Sequence, residues 1–146
     1  MPAPAVIDTM LFAYALLGVT NRRDAALAAL AAARPLYAPD SLRAELANVV
    51  WQWVRQRHVS IEFAHTALQR ADGLVDQYAS SGELWHAALD LAAAAGHPVY
   101  DTLFVALAQK RGAVVVSDDG KLARAFPDWV VSPEVFVAGA DFLKGG

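Results

Sequence analysis

Two short apolar runs in this chain each end on aspartate, and they constrain the fold more than any other feature. Ala113-Val114-Val115-Val116 is uncharged and mostly β-branched, and it closes on Ser117-Asp118-Asp119-Gly120. A strand with no polar alternation is buried on both faces, as central strands of parallel sheets are. Ala5-Val6-Ile7 is a second such run and ends at Asp8. Leu36-Tyr37-Ala38 reads as a third strand and Trp129-Val130-Val131 as a fourth.

Between these runs the pattern is helical. Thr9–Leu17 closes at Gly18, and Asp24–Ala33, with Leu27 and Leu30 at helical spacing, is ended by Arg34-Pro35. From Leu42 to Arg57, residues Leu42, Leu46, Val49, Val50 and Trp53 form one stripe at spacings of three and four, with Glu45, Asn48 and Gln52 as a polar line beside it. A further helix opens at Ser60 with Phe63, Ala67, Ala71 and Leu74 in phase. Ser81 is the expected N-cap of Gly82–Ala95, with Gly96 as its stop. Thr102–Lys110 and Lys121–Ala125 complete the set. Helices alternating with buried strands predict an α/β fold: one domain over 1–146, with a short, mostly parallel sheet between helices.

Composition agrees. With 56% hydrophobic and 18% charged residues, the chain buries a core and is not disordered. It has no cysteine, which excludes disulfide scaffolds, thiolate metal sites and cysteine nucleophiles. The longest uncharged stretch, Thr9–Asn21, is shorter than the roughly 20 residues a membrane crossing needs, so no membrane association and a cytoplasmic location are expected. The net charge of −3 argues against a polyanionic partner at first sight. Assigning four of the 15 acids to a metal leaves the remainder close to balance with the 12 Lys and Arg.

Four acids share one topological address. Asp8 follows the first strand, Glu45 lies in the first turn after the second, Asp101 starts a helix, and Asp119 follows the strongest strand. Ligands of open α/β sheets bind at the carboxyl ends of the strands. Acids gathered there repel one another unless one is protonated or a divalent cation neutralises them. Oxygen ligands alone favour magnesium or manganese. The alternatives are local: Asp101 and Asp119 as helix caps, and Glu45 as a partner of its helix dipole.

The stretches Val6-Ile7-Asp8-Thr9, Ala38–Asn48, Pro98–Ala108 and Val115–Ala125, in this order and at this spacing, resemble the PIN-domain family, and within it the VapC-type toxins of toxin–antitoxin pairs. The resemblance implies a single PIN-like α/β domain. It maps the four family acids to Asp8, Glu45, Asp101 and Asp119, with Asp118 at the variable position of the last motif and Ser117 in place of its threonine. It further implies Mg2+ or Mn2+ at those acids, metal-dependent hydrolysis of RNA, a cognate antitoxin, and a homodimer. Met10 stands where the family often has a small polar residue.

Around the acids, Thr9 and Ser117 are candidates to position a carboxylate or a water, with capping as the alternative. Asn48, one turn beyond Glu45, is a candidate supporting donor, and Arg43, Lys121 and Arg124 are candidate phosphate contacts. His58, His65, His86 and His97 show no ligand spacing, and Trp51, Trp53 and Trp85 read as core or interface. A dehalogenase-type phosphatase also begins with a strand and an aspartate. It needs a second aspartate two residues on, where this chain has Met10. The remaining alternative is a PIN-like module that binds RNA or protein without cutting.

Overall fold

A computed structural model describes residues 2–19 and 21–139. Strand β1 (Ala3–Ile7) carries Ala5, Val6 and Ile7 with no exposed surface. Burying Val6 and Ile7 stabilises the fold by roughly 1.5–3 kcal/mol each. Helix α1 (Thr9–Leu17) starts at once, because Asp8 caps it by accepting a bond from the Leu11 N–H at 3.2 Å. Gly18 ends it at φ 75°, a conformation glycine adopts without a Cβ clash.

Helix α2 (Arg23–Ala32) runs straight into β2 (Ala33–Pro39). Arg34-Pro35 does not separate helix from strand, as its composition suggests; both residues lie inside β2. The β1–β2 register moves from Ala3↔Ala33 to Ala5↔Leu36, and these two residues fall in that irregularity. Such a position tolerates a proline that cannot donate to the ladder.

Helix α3 (Ser41–Arg55) buries Leu42, Leu46 and Val50, the centre of the expected stripe. In α4 (Ile61–Leu74) the buried line is Ala64, Ala67 and Ala71, whereas Phe63 and Leu74 stand exposed. The large residues there mark the outer face, and small ones allow close packing. Strand β3 (Gln77–Ala79) has no sequence signature and lies at the sheet edge. Helix α5 (Ser81–Ala95) is capped by Ser80, not Ser81: the Ser80 hydroxyl accepts the Glu83 N–H at 3.2 Å. Ser81 instead donates to Asp40 at 2.7 Å.

Helix α6 (Val99–Arg111) is buried continuously from Thr102 to Ala108, and the Thr102 hydroxyl bonds the Ala88 carbonyl of α5 at 2.7 Å. Then follow β4 (Val114–Val116), α7 (Gly120–Ala125), β5 (Val130–Val131) and α8 (Pro133–Ala138). The sheet order is β3-β2-β1-β4-β5 and every pairing is parallel.

Alternate strand residues divide the core between the two faces of the sheet. Ala5, Ile7 and Val116 pack with Leu11, Phe12 and Leu46 on one side. Val6 and Val115 pack with Leu84, Phe104, Leu107 and Leu122 on the other. No single described helix is long and apolar enough to cross a membrane. The α5–α6 pair reaches that length only across a 116° bend.

Candidate active site

Because all five strands run one way, their carboxyl ends form a single edge, and the acids of four elements meet there. Asp8 stands after β1, Glu45 on α3, Asp101 in the first turn of α6 and Asp119 after β4. All four line one cleft of about 500 Å³, together with Thr9, Asn48 and Asp118. Met10, Tyr14 and Phe104 contribute to its walls.

Asp8 is fixed at both oxygens. Oδ1 accepts the Leu11 N–H, and Oδ2 accepts the Ser117 hydroxyl in a short bond. Its backbone N–H donates to the Val116 carbonyl at 3.1 Å, which holds the residue against β4. Burial pushes the Asp8 carboxyl up to about 6; the bonds from Ser117 and Leu11 pull it down, and the charges of Asp118 and Asp119 push it further up. Ser117 is 3% exposed and also accepts the Asp119 N–H at 2.9 Å, so one hydroxyl ties the two acids together.

Glu45 is oriented by Thr9, which is 6% exposed and whose hydroxyl donates to Oε2 at 2.9 Å. Its other oxygen, Oε1, is buried without a hydrogen-bond partner. Burial raises the Glu45 carboxyl above its usual range; the Thr9 bond opposes this and the Asp101 charge adds to it. Asp101 is raised as well, by burial and then by Asp119, with the imidazole of His97 acting the other way. His97 Nδ1 lies 3.8 Å from Asp101 Oδ2, beyond hydrogen-bond reach. Asp101 is not the cap of α6, which begins at Val99 with Pro98 in the N-cap position.

Asp119 does cap. Its Oδ1 accepts the N–H groups of Lys121 and Leu122 at 2.9 and 3.2 Å at the start of α7. Capping uses that oxygen, and Asp119 still lines the cleft. Asp118 is held differently: Arg22 grips both its oxygens, at 2.8 Å from Nε and 2.7 Å from Nη2, and Arg22 also reaches Glu134 at 2.6 Å. Sequence reading missed Arg22 because 96 residues separate it from Asp118.

Among the candidate cations, Lys121 and Arg124 stand beside the cleft, in a neighbouring cavity that shares Asp101 and Asp119. Arg43 does not. It points to the opposite side of α3, where it bonds Asp72 at 2.9 Å and stacks over the Tyr78 ring at 3.8 Å. Tyr78 donates to the same Asp72 oxygen at 2.6 Å.

Among the described residues, no three Asp, Glu or His side chains stand close enough together to enclose an ion as placed. The donor set nevertheless fits a hard divalent cation. It is all oxygen, it includes the unpartnered Glu45 Oε1, and its negative charges act on one another, Asp101 raising Glu45 and Asp119 raising Asp101. Asp8, Glu45, Asp101 and Asp119 are the residues that would hold such a cation.

The family model of the PIN domain matches residues 5–126. Among solved structures, the fold is similar to PAE2754 of Pyrobaculum aerophilum, with a TM-score of 0.69 at 18% identity over 95% of this chain and 90% of that one. It is also similar to a toxin–antitoxin complex from Klebsiella pneumoniae, with a TM-score of 0.64 at 18% identity over 88% of this chain and 97% of that one. No curated protein sequence matches the chain.

Proposed function

The chain belongs to the PIN-domain family, whose members are in general nucleases, and on that premise we propose that it is a Mg2+- or Mn2+-dependent endoribonuclease. The observation that carries this reading is the meeting of Asp8, Glu45, Asp101 and Asp119 in one cleft at the strand ends. When bound there, a divalent cation supplies Lewis acidity: it acidifies a water and offsets charge on the phosphate in the transition state.

The chain's own residues do the rest. Thr9 and Ser117 fix the carboxylates of Glu45 and Asp8 in place. Asn48, exposed on the same face of α3 as Glu45, supports that rim of the cleft. With both its oxygens held by Arg22, Asp118 would contribute charge only, and Asp119 would be the fourth residue to hold the cation.

The reading extends to a cytoplasmic toxin of a toxin–antitoxin pair. Its support is the fold shared with the Klebsiella pneumoniae complex and an apolar surface in need of cover. Trp51 and Ile61 are each 53% exposed along the α3–α4 pair, and Trp85 is 59% exposed on α5. Patches of this kind suit an antitoxin or a second copy. Light scattering of the purified protein tests this; a monomer with no affinity for a co-expressed partner removes it.

The central test is metal titration with RNA. Cleavage is expected only with Mg2+ or Mn2+, and is expected to fall at least about 100-fold in Asp8→Asn and Asp101→Asn with circular dichroism unchanged. RNA binding without cleavage under all metals overturns the nuclease reading and favours the non-cutting module.

A further inference from the structure

Asp101 and Asp119 each border two hollows. Beyond their rim lies a second cavity of about 480 Å³, walled by the α5–α6 turn at His97 and by Lys121 and Arg124 of α7. Lys121 and Arg124 are three residues apart on one short helix, so they share a face. Like charges at that spacing repel and weaken a helix unless an anion joins them.

Four other cations are already paired. Arg22 is bound to Asp118 and Glu134, Arg43 to Asp72, and Lys110 and Arg111 to Glu83. Among the described residues, neither Lys121 nor Arg124 forms an ion pair. The Arg124 guanidinium also folds back over the first turn of α7: its Nη1 lies 3.1 Å from where a Cβ on Gly120 would be. That brings the charge against the backbone next to Asp119, with no side chain at position 120 to hold it off. His97 closes the other wall, its Nδ1 buried and without a hydrogen-bond partner.

We propose that this second cavity is a phosphate subsite: an RNA strand with its scissile phosphodiester in the acidic cleft crosses the Asp101–Asp119 rim and seats the neighbouring phosphate between Lys121 and Arg124. The inference rests on the ribonuclease reading and adds a direction to it, with the strand leaving the cleft toward α7. It also explains how a chain with a net charge of −3 holds a polyanion. The two cations are local and form no ion pair among the described residues, and the acids beside them line the cleft that would hold the metal.

The experiment measures binding separately from cutting. Asp8→Asn protein, with Mg2+ present, is titrated into a fluorescent single-stranded oligoribonucleotide at several salt concentrations. Lys121→Ala/Arg124→Ala in the same background is expected to bind on the order of tenfold more weakly. Its salt dependence is expected to be shallower by about 1.4 in log–log slope, the value for two lost phosphate contacts on a single strand. Arg124→Lys is expected to keep most of the affinity, and Arg43→Ala all of it.

An unchanged slope in the double variant, or no measurable binding by the Asp8→Asn parent, overturns the subsite. The two readings fail separately. A slope that changes as expected in a protein whose wild type cuts no RNA keeps the subsite and removes the nuclease. Metal-dependent cleavage by wild type that is identical in KM for the double variant does the reverse.

Discussion

Ser117 donates its hydroxyl to the carboxylate of Asp8 across the seam between β1 and β4, joining residues 109 positions apart. The same oxygen receives the Asp119 N–H. A buried side chain of one hydroxyl thus sets the relative placement of two acids that follow different strands.

Ser117→Ala tests that role. The Ser117 bond lowers the Asp8 carboxyl, so its loss moves Asp8 above its present value of about 6. Mn2+ affinity measured by calorimetry is expected to fall 10- to 100-fold, roughly the effect of removing a group that orients a metal ligand. The pH at which binding is half-maximal is expected to move upward. Ser117→Thr keeps the hydroxyl and is expected to restore both; an alanine variant with wild-type affinity contradicts the role.

The raised carboxyl of Asp8 also makes metal-free stability depend on pH. Its value of about 6 lies above the ordinary 3.8, so the folded protein holds this proton more tightly than the unfolded chain does. The contribution is intact below about pH 4, is lost as pH rises toward 6, and stays lost above that. Asp8→Asn is therefore expected to raise stability in EDTA at pH 7.5 by on the order of 1–3 kcal/mol, and to give no gain at pH 4. Mn2+ is expected to raise the melting temperature of wild type and leave the variant unmoved. Melts of both proteins across that pH range decide it, and equal melting temperatures at pH 7.5 reject it.

Arg22 neutralises Asp118 and pins the β4–α7 turn to α8 through Glu134. Both members of the Arg22–Asp118 pair are partly exposed, at 30% and 24% of their side chains, so the expected loss in Arg22→Ala is modest, about 1 kcal/mol at low salt. Freed charge on Asp118 pushes Asp8 higher still, since that charge already raises it. The deficit is expected to shrink as salt or divalent cation is added. Denaturant melts at two ionic strengths measure it, and a deficit that ignores salt argues for a packing effect.

Arg43 faces Asp72 and Tyr78 on the far side of α3. Arg43→Ala is expected to leave kcat and KM for RNA unchanged, with only a small drop in melting temperature. A several-fold rise in KM would return Arg43 to the substrate path.

Much of this architecture is legible in the sequence because it is written in residues with strong local preferences. β-branched runs without charge mark β1 and β4, and Gly18, Gly96 and Gly112 stop helices at positive φ. Asp8 and Asp119 are legible because they follow β1 and β4, and Glu45 because it lies beside the apolar stripe of α3. What escapes reading depends on distant partners or on small residues. β3 is three residues at a sheet edge with no apolar pattern of its own, and α8 is too short to show a period. The buried line of α4 is alanine, which carries little hydrophobic contrast, so the larger Phe63 and Leu74 mislead. Arg43 sits two residues before Glu45, on the same turn of α3. Only the α3–α4 packing that brings Asp72 near reveals where it points.

The insertion of β4 between β1 and β5 has a consequence for biosynthesis. A nascent polypeptide that has emerged through α6 already carries three carboxylates. It has neither the hydroxyl that anchors the first of them nor the fourth carboxylate, because both follow β4, which pairs with β1 only after α6 is made. The four acids are thus gathered at one edge only in a late event, when β4 pairs with β1.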